Sequence, residues 1–138
     1  MTTVTIECTP DQAAALTRML DLSVRIHMCQ FWEIEMLARF ESIKHVEGRP
    51  LTLDERDELR LRLARVSEVF GFSPSASFGV GSPHVDSDAH RGYELKKVLE
   101  KAIAEWREPN PQGIRGVNYD GLIVRYTDDQ ASVVRVEG

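Results

Sequence analysis

Thr3-Val4-Thr5-Ile6-Glu7-Cys8 alternates apolar with polar and β-branched positions, the pattern of a half-buried strand. Thr9-Pro10-Asp11-Gln12 then carries a helix-start signal. Thr9 can cap, Pro10 suits the first helical position, and Gln12 can reach back to the cap backbone. No proline or glycine follows until Gly48-Arg49-Pro50, so the spacing predicts one very long first helix ending near Glu47. Ala15, Met19, Leu22, Ile26, Cys29, Met36, Phe40 and Ile43 fall on 4-3 spacing, with Glu33 polar on the seam. A second apolar line runs through Leu16, Leu20, Val24, Phe31 and Ile34. Unbroken, such a helix is on the order of 55 Å long, against a sphere roughly 37 Å across for a compact chain of this size. It must therefore kink, with Ser23 the candidate position, or pack its excess length against another copy. Apolar residues on both sides of the central turns favour self-association.

Thr52 and Glu55 form a second capping box, and Leu59, Leu63, Val66 and Phe70 make the stripe of a second helix that Gly71 stops. Its acids crowd the first turn and its arginines follow, which reads as a solvated face with local pairs, the alternative being an anion-binding face. Residues 72–87 are rich in Ser, Gly and Pro and predict a long loop. A third helix starts near Ser87 or Asp88 and runs to Glu108, with Leu95, Leu99, Ala102, Ile103 and Trp106 on its apolar face. Asp120-Gly121 is a hairpin signal that would pair Ile114–Tyr119 with Leu122–Thr127, and a further turn leads into Ala131–Glu137. The fold class expected is therefore α+β: three helices, one very long, with a small antiparallel sheet formed by the N-terminal strand and a C-terminal meander. With no internal repeat, residues 1–138 read as a single domain.

Twenty-two acidic against 17 basic residues leave a net charge of -5, which disfavours a nucleic-acid polymer as partner. The two cysteines, Cys8 and Cys29, read as free thiols rather than as a disulfide framework. Neither a signal-peptide pattern nor a bilayer-spanning apolar run is visible, so a cytoplasmic protein without membrane contact is expected.

Candidate chemistry is sparse. His84, Asp86, Asp88 and His90 alternate as ligands to a divalent ion would on an extended backbone, and a metal-dependent phosphodiesterase would need them to converge. The competing reading, and the better one, makes Asp86 and Asp88 the cap and acidic first turn of the third helix. Gly79-Val80-Gly81-Ser82-Pro83 lacks the Gly-Lys-Ser/Thr ending of a phosphate loop, and no nucleophile elbow is present. No cofactor is implied, and catalysis is less expected than binding. Arg25, His27, Gln30 and Glu33 interleave with Met28, Phe31 and Trp32. These could line a nucleotide pocket, since arginine forks phosphate and aromatic faces stack on bases. They could equally form a buried polar network that fixes register between helices.

The run Leu22-Ser23-Val24-Arg25-Ile26-His27-Met28-Cys29-Gln30-Phe31-Trp32-Glu33 resembles the first helix of a group of small phage and prophage proteins. The resemblance continues at Gly81-Ser82-Pro83, at Gly92-Tyr93-Glu94-Leu95, and at Trp106 through Asn118-Tyr119-Asp120. It implies a homo-oligomer, assembled through the first helix, that sequesters a nucleotide second messenger of bacterial immunity in the host cytoplasm. Such an anti-defence sponge would bind through Arg25, Met28, Gln30 and Trp32, supported by Ser82, Arg91 and Tyr93. The alternative is a structural or protein-binding module that uses the first helix as its partner surface.

Overall fold

The computed structural model of the chain describes residues 2–110, 112, 113 and 124–138. Among the described residues there are four helices: α1 (Pro10–His27), α2 (Glu33–Arg39), α3 (Leu53–Val69) and α4 (Ser87–Arg107). Among the described residues there is no β-strand, which overturns the α+β expectation of three helices and an antiparallel sheet. The alternation at residues 3–8 is present, but among the described residues nothing pairs with it. Val4 and Ile6 stand 83% and 71% exposed. A strand without a partner leaves its backbone groups to water and gains nothing from its apolar positions. Residues 131–138 are also without regular structure. The hairpin expected around Asp120-Gly121 lies mostly outside the described residues.

The expected long first helix is two helices, and the reason is a C-cap that composition hides. α1 opens with the reciprocal box read from its sequence: Thr9 N donates to Gln12 Oε1 at 2.9 Å and Gln12 N to Thr9 Oγ1 at 3.2 Å. It closes at His27 with the 6→1 and 5→2 hydrogen bonds of a Schellman motif. Gln30 N donates to Arg25 O and Cys29 N to Ile26 O, both at 2.9 Å. The motif needs a left-handed residue after the cap, and Cys29 adopts it at φ 64°. α2 ends the same way, with Glu41 at φ 59° and Ser42 N donating to Leu37 O at 2.8 Å. α3 ends on Gly71 at φ 83°, with Phe72 N donating to Ser67 O at 3.0 Å. Glycine accepts this conformation freely; a residue with a Cβ does so at a cost of about 1 kcal/mol or more.

The chain divides into two compact units, residues 1–23 with 87–138, and residues 24–86; the boundary falls inside α1. In the first unit, Ala13, Ala89, Leu99 and Ile103 are buried, together with the charged Glu94 and Lys96. Lys96 Nζ lies 2.7 Å from Asp21 Oδ1, so α4 is tied to α1 by an ion pair within the packed interior.

In the second unit, Val24, Met28, Cys29, Phe31, Ala38 and Val85 are buried. α2 packs on α3, and buried Glu35 of α2 reaches Arg60 of α3 at 3.2 Å while pairing with Arg39 of its own helix at 3.3 Å. The α3 stripe differs from the one expected: Leu59 and Leu63 are half-buried, but Ser67 takes the buried position and Val66 and Phe70 are exposed. The Ser/Gly/Pro-rich segment is anchored by aromatic contacts. Phe78 meets Phe72 edge-on at 4.7 Å and His84 face-on at 5.2 Å, and its N–H donates to Met28 O at 2.9 Å.

The connection between α2 and α3 is also fixed. Gly48 N donates to His45 O at 2.8 Å and His45 N to Arg49 O at 2.9 Å, closing a tight turn. Arg49 then pairs with Glu47 and grips both oxygens of Glu55, the acid of the α3 capping box. The Arg49 guanidinium, with the Thr52 N–H after it, lowers the Glu55 carboxyl to about 2. A carboxyl so lowered contributes stability above its unfolded range near pH 4, and loses it as the pH falls toward 2.

Candidate functional site

In the first unit an open groove of about 520 Å³ lies between α1 and α4. Ala14, Thr17 and Arg18 reach it from α1, at the i, i+3, i+4 spacing of one helix face. Glu100, Ile103, Ala104 and Arg107 come from α4 at i, i+3, i+4 and i+7, and Glu108 lies just past its end. Short side chains at 14, 17 and 104 open the space, and Ile103 gives it an apolar floor. Thr17 turns its hydroxyl back onto Ala13 O at 2.9 Å and so presents its methyl side.

The polar groups of the groove are incompletely used. Glu100 has Lys96 at 3.8 Å and Lys97 at 3.6 Å, which compensate its charge at ion-pair range. Its Oε2 is nevertheless buried with no hydrogen-bond donor. A buried acceptor left unmade costs about 1–3 kcal/mol, so a ligand N–H or O–H placed there recovers more than an ordinary surface contact would. Arg18 and Arg107 are exposed at the rim and, among the described residues, make no ion pair or side-chain hydrogen bond. The groove thus offers two guanidinium forks, one acceptor in need of a donor, and an apolar floor.

The residues expected from sequence to bind a ligand fall into different places. Arg25, Met28, Gln30, Trp32 and Ser82 belong to the second unit; Arg91 and Tyr93 belong to the first. Arg25 and Gln30 do meet, at 3.0 Å, and Arg25 lies 3.6 Å from Glu33. That contact spans the Schellman turn whose 6→1 bond joins the same two residues, so these side chains brace the end of α1. Met28 is buried, with its carbonyl taken by Phe78, and Trp32 sits at the N-cap of α2 without a capping hydrogen bond. Ser82 Oγ accepts from His84 N at 3.3 Å.

Arg91 and Tyr93 line a second feature, a clasp on α4 that holds residues 125–129. Arg91 Nε lies 2.6 Å from Asp129 Oδ2, and the Tyr93 ring meets Tyr126 edge-on at 5.6 Å. Beside them Glu94, which the sequence reading passed over, accepts from Tyr126 N, Thr127 N and the Thr127 hydroxyl at 2.5, 2.9 and 2.8 Å. Burial alone would raise this carboxyl; the four hydrogen bonds from Tyr126, Thr127 and Arg125 outweigh it and hold Glu94 below the usual carboxylate range. Burial, with Tyr126 second, raises Tyr93, so the phenol keeps its proton at neutral pH.

The His84–His90 stretch does not assemble as a cation site would. His84 stacks on Phe78, Asp88 takes Arg91 at 2.9 Å, and His90 stacks on Tyr126 at 5.7 Å. Among the described residues no three His, Cys, Asp or Glu side chains converge at metal-binding range. No helix among them is long and apolar enough to cross a membrane.

Comparison of the chain with protein-family models, with curated proteins and with solved structures returned no match. The site is therefore argued from its own geometry. Arg18, Glu100 and Arg107, which sequence reasoning did not single out, look in sequence like the polar face of an amphipathic helix. Only the placement of α1 beside α4 brings the three around one groove.

Proposed function

We propose that this chain is a binding protein that holds a nucleotide-sized anion in the α1–α4 groove of its first unit. One observation carries the reading: a buried Glu100 oxygen without a donor shares the groove with the uncommitted guanidinium groups of Arg18 and Arg107. A ligand that satisfies all three must bring both a hydrogen-bond donor and an anionic group. Nucleotides combine these, with base N–H groups at one end and phosphate at the other, and arginine forks suit phosphate. The volume of about 520 Å³ lies within the range of small-molecule sites. Sequestration of a nucleotide signal, which the resemblance to small phage proteins implies, would then act through this groove, and Arg25 and Gln30 would serve the fold.

Titration calorimetry of the purified chain with a panel of cyclic and linear nucleotides tests this. Binding is expected for at least one of them. Arg18→Ala with Arg107→Ala is expected to weaken it at least tenfold, since a hydrogen bond to a charged group is worth about 1.5–3 kcal/mol. Binding that ignores both arginines, or none across the panel, would remove the reading.

A second reading, a self-associating module, is favoured by a separate observation in the second unit. Phe40, Ile43, Val46 and Leu53 are exposed on and beside the α2–α3 connection, Val46 to 95%, although hydrogen bonds fix that connection. Apolar side chains on ordered backbone can enter an interface without the entropic cost of ordering a loop. If a second copy covers them, native mass spectrometry should show a dimer that Val46→Asp with Phe40→Ser converts to monomer. A wild-type chain monomeric at 100 µM or above (roughly the upper range of such spectra) would leave the groove reading alone.

A further inference from the structure

Four side chains on the early turns of α4 converge on five consecutive residues, Arg125 to Asp129. Glu94 takes two backbone N–H groups and a hydroxyl from Tyr126 and Thr127, and Arg125 Nε lies 3.3 Å from the same carboxylate. Arg91 holds Asp129, and the Tyr126 ring sits between His90 and Tyr93, 5.7 and 5.6 Å from their centroids. Arg125 also donates to the Asp129 carbonyl and curls the segment on itself. Residues 124 and 130–133 are exposed on either side, so the grip is local to these five residues.

This is the way a receptor can capture a bent peptide segment. A carboxylate captures main-chain donors, while neighbouring pockets select an aromatic and an acid. The fit is incomplete at one point: His90 Nε2 is buried beside Tyr126 with no hydrogen-bond partner. A ligand that supplied one would be bound better than the segment now in place.

We propose that this face of α4 is a recognition site for a bent peptide segment of another protein, with the pattern cation, aromatic, hydroxyl, any residue, acid. Residues 125–129 occupy it as an internal ligand. Because residues 125–129 belong to the same chain as α4, they compete for the site as an intramolecular ligand. The apparent affinity for an outside peptide is then reduced by the fraction of time the site stands open. The inference is independent of the α1–α4 groove and survives its failure.

The probe is a fluorescent peptide with the sequence of residues 124–130, titrated by anisotropy into the full chain. Weak binding is expected for wild type, and binding at least tenfold tighter for Tyr126→Ala with Thr127→Ala, in which the internal ligand is crippled. Adding Glu94→Gln and Arg91→Ala to that variant is expected to abolish the gain. Equal affinity for wild type and variant, no binding to either, or binding that survives loss of Glu94 and Arg91 would overturn the proposal. Should the variant not fold, hydrogen exchange on the wild-type chain decides. The Tyr126 and Thr127 amides are expected to exchange faster under a large excess of unlabelled peptide, and unchanged protection would overturn the site.

Discussion

Replacing Arg39 and Arg60 together with alanine is expected to destabilise the second unit by about 3 kcal/mol, the largest effect of any surface-charge change in this chain. The two guanidinium groups are themselves half-exposed, and removing either alone should cost little, because the other remains beside Glu35. Removing both is different. Glu35 is only 4% exposed, and its carboxylate would be left between α2 and α3 with neither water nor a counter-charge. A stranded buried charge costs several kcal/mol, whereas an apolar group of similar shape in its place is close to neutral. The triple variant with Glu35→Leu should therefore regain most of the loss. Urea unfolding followed by Trp32 fluorescence in a Trp106→Phe background reads this unit. A double variant as stable as wild type would show that Glu35 reaches solvent when its partners leave.

The second large effect is expected at Lys96. Its ammonium is 8% exposed, lies against Asp21 and Glu100, and sits 5.2 Å from the centre of the Tyr93 ring. Lys96→Met keeps most of the stem and removes the charge. Glu100 retains Lys97, and Asp21 is one-third exposed and regains some hydration, so about 2 kcal/mol is expected rather than the full cost of a stranded ion. Adding Asp21→Leu should return part of it. The same urea titration, read by Trp106 with Trp32→Phe, measures this. Because Lys96 also sets the field around Glu100, the variant should change affinity in the α1–α4 groove as well. Stability lost with groove affinity unchanged would place Glu100 outside the ligand's reach.

The starts of α1, α3 and α4 were legible in this sequence; the start of α2 and two helix ends were not, for a definite physical reason. Thr9 with Gln12 and Thr52 with Glu55 announce their caps because the side chains that satisfy the first N–H groups are of few types. The C-cap after α3 was legible because Gly71 holds the left-handed position. After α1 and α2 the same geometry falls on Cys29 and Glu41, residues that carry no such signal, and the apolar spacing runs on past both. One concealed turn thus converts a predicted helix through Glu47 into two. The sheet failed on a different ground: alternation reports what a strand would bury and says nothing about whether a partner arrives. Among the candidate site residues, Arg25 and Gln30 were grouped with His27 and Glu33 as either pocket lining or a polar network, and the structure has the two in hydrogen-bond contact. Arg91 and Tyr93 were singled out for an outside ligand and are found holding part of their own chain. Glu94, adjacent to Tyr93 in sequence, was missed because a glutamate on a helix ordinarily faces water, and its burial depends on a segment more than 30 positions away.

The two thiols make the chain selectively addressable. Cys8 lies in the exposed segment before α1, whereas Cys29 is enclosed at the left-handed turn that ends it. A maleimide dye applied under native conditions therefore marks one position near the N-terminus, without any engineered cysteine. Once Cys8 is blocked, the rate at which a second reagent reaches Cys29 becomes a clock for the opening of the α1–α2 corner. The sulfur that stands in for a glycine thus doubles as a built-in reporter, with no label added to the fold it watches.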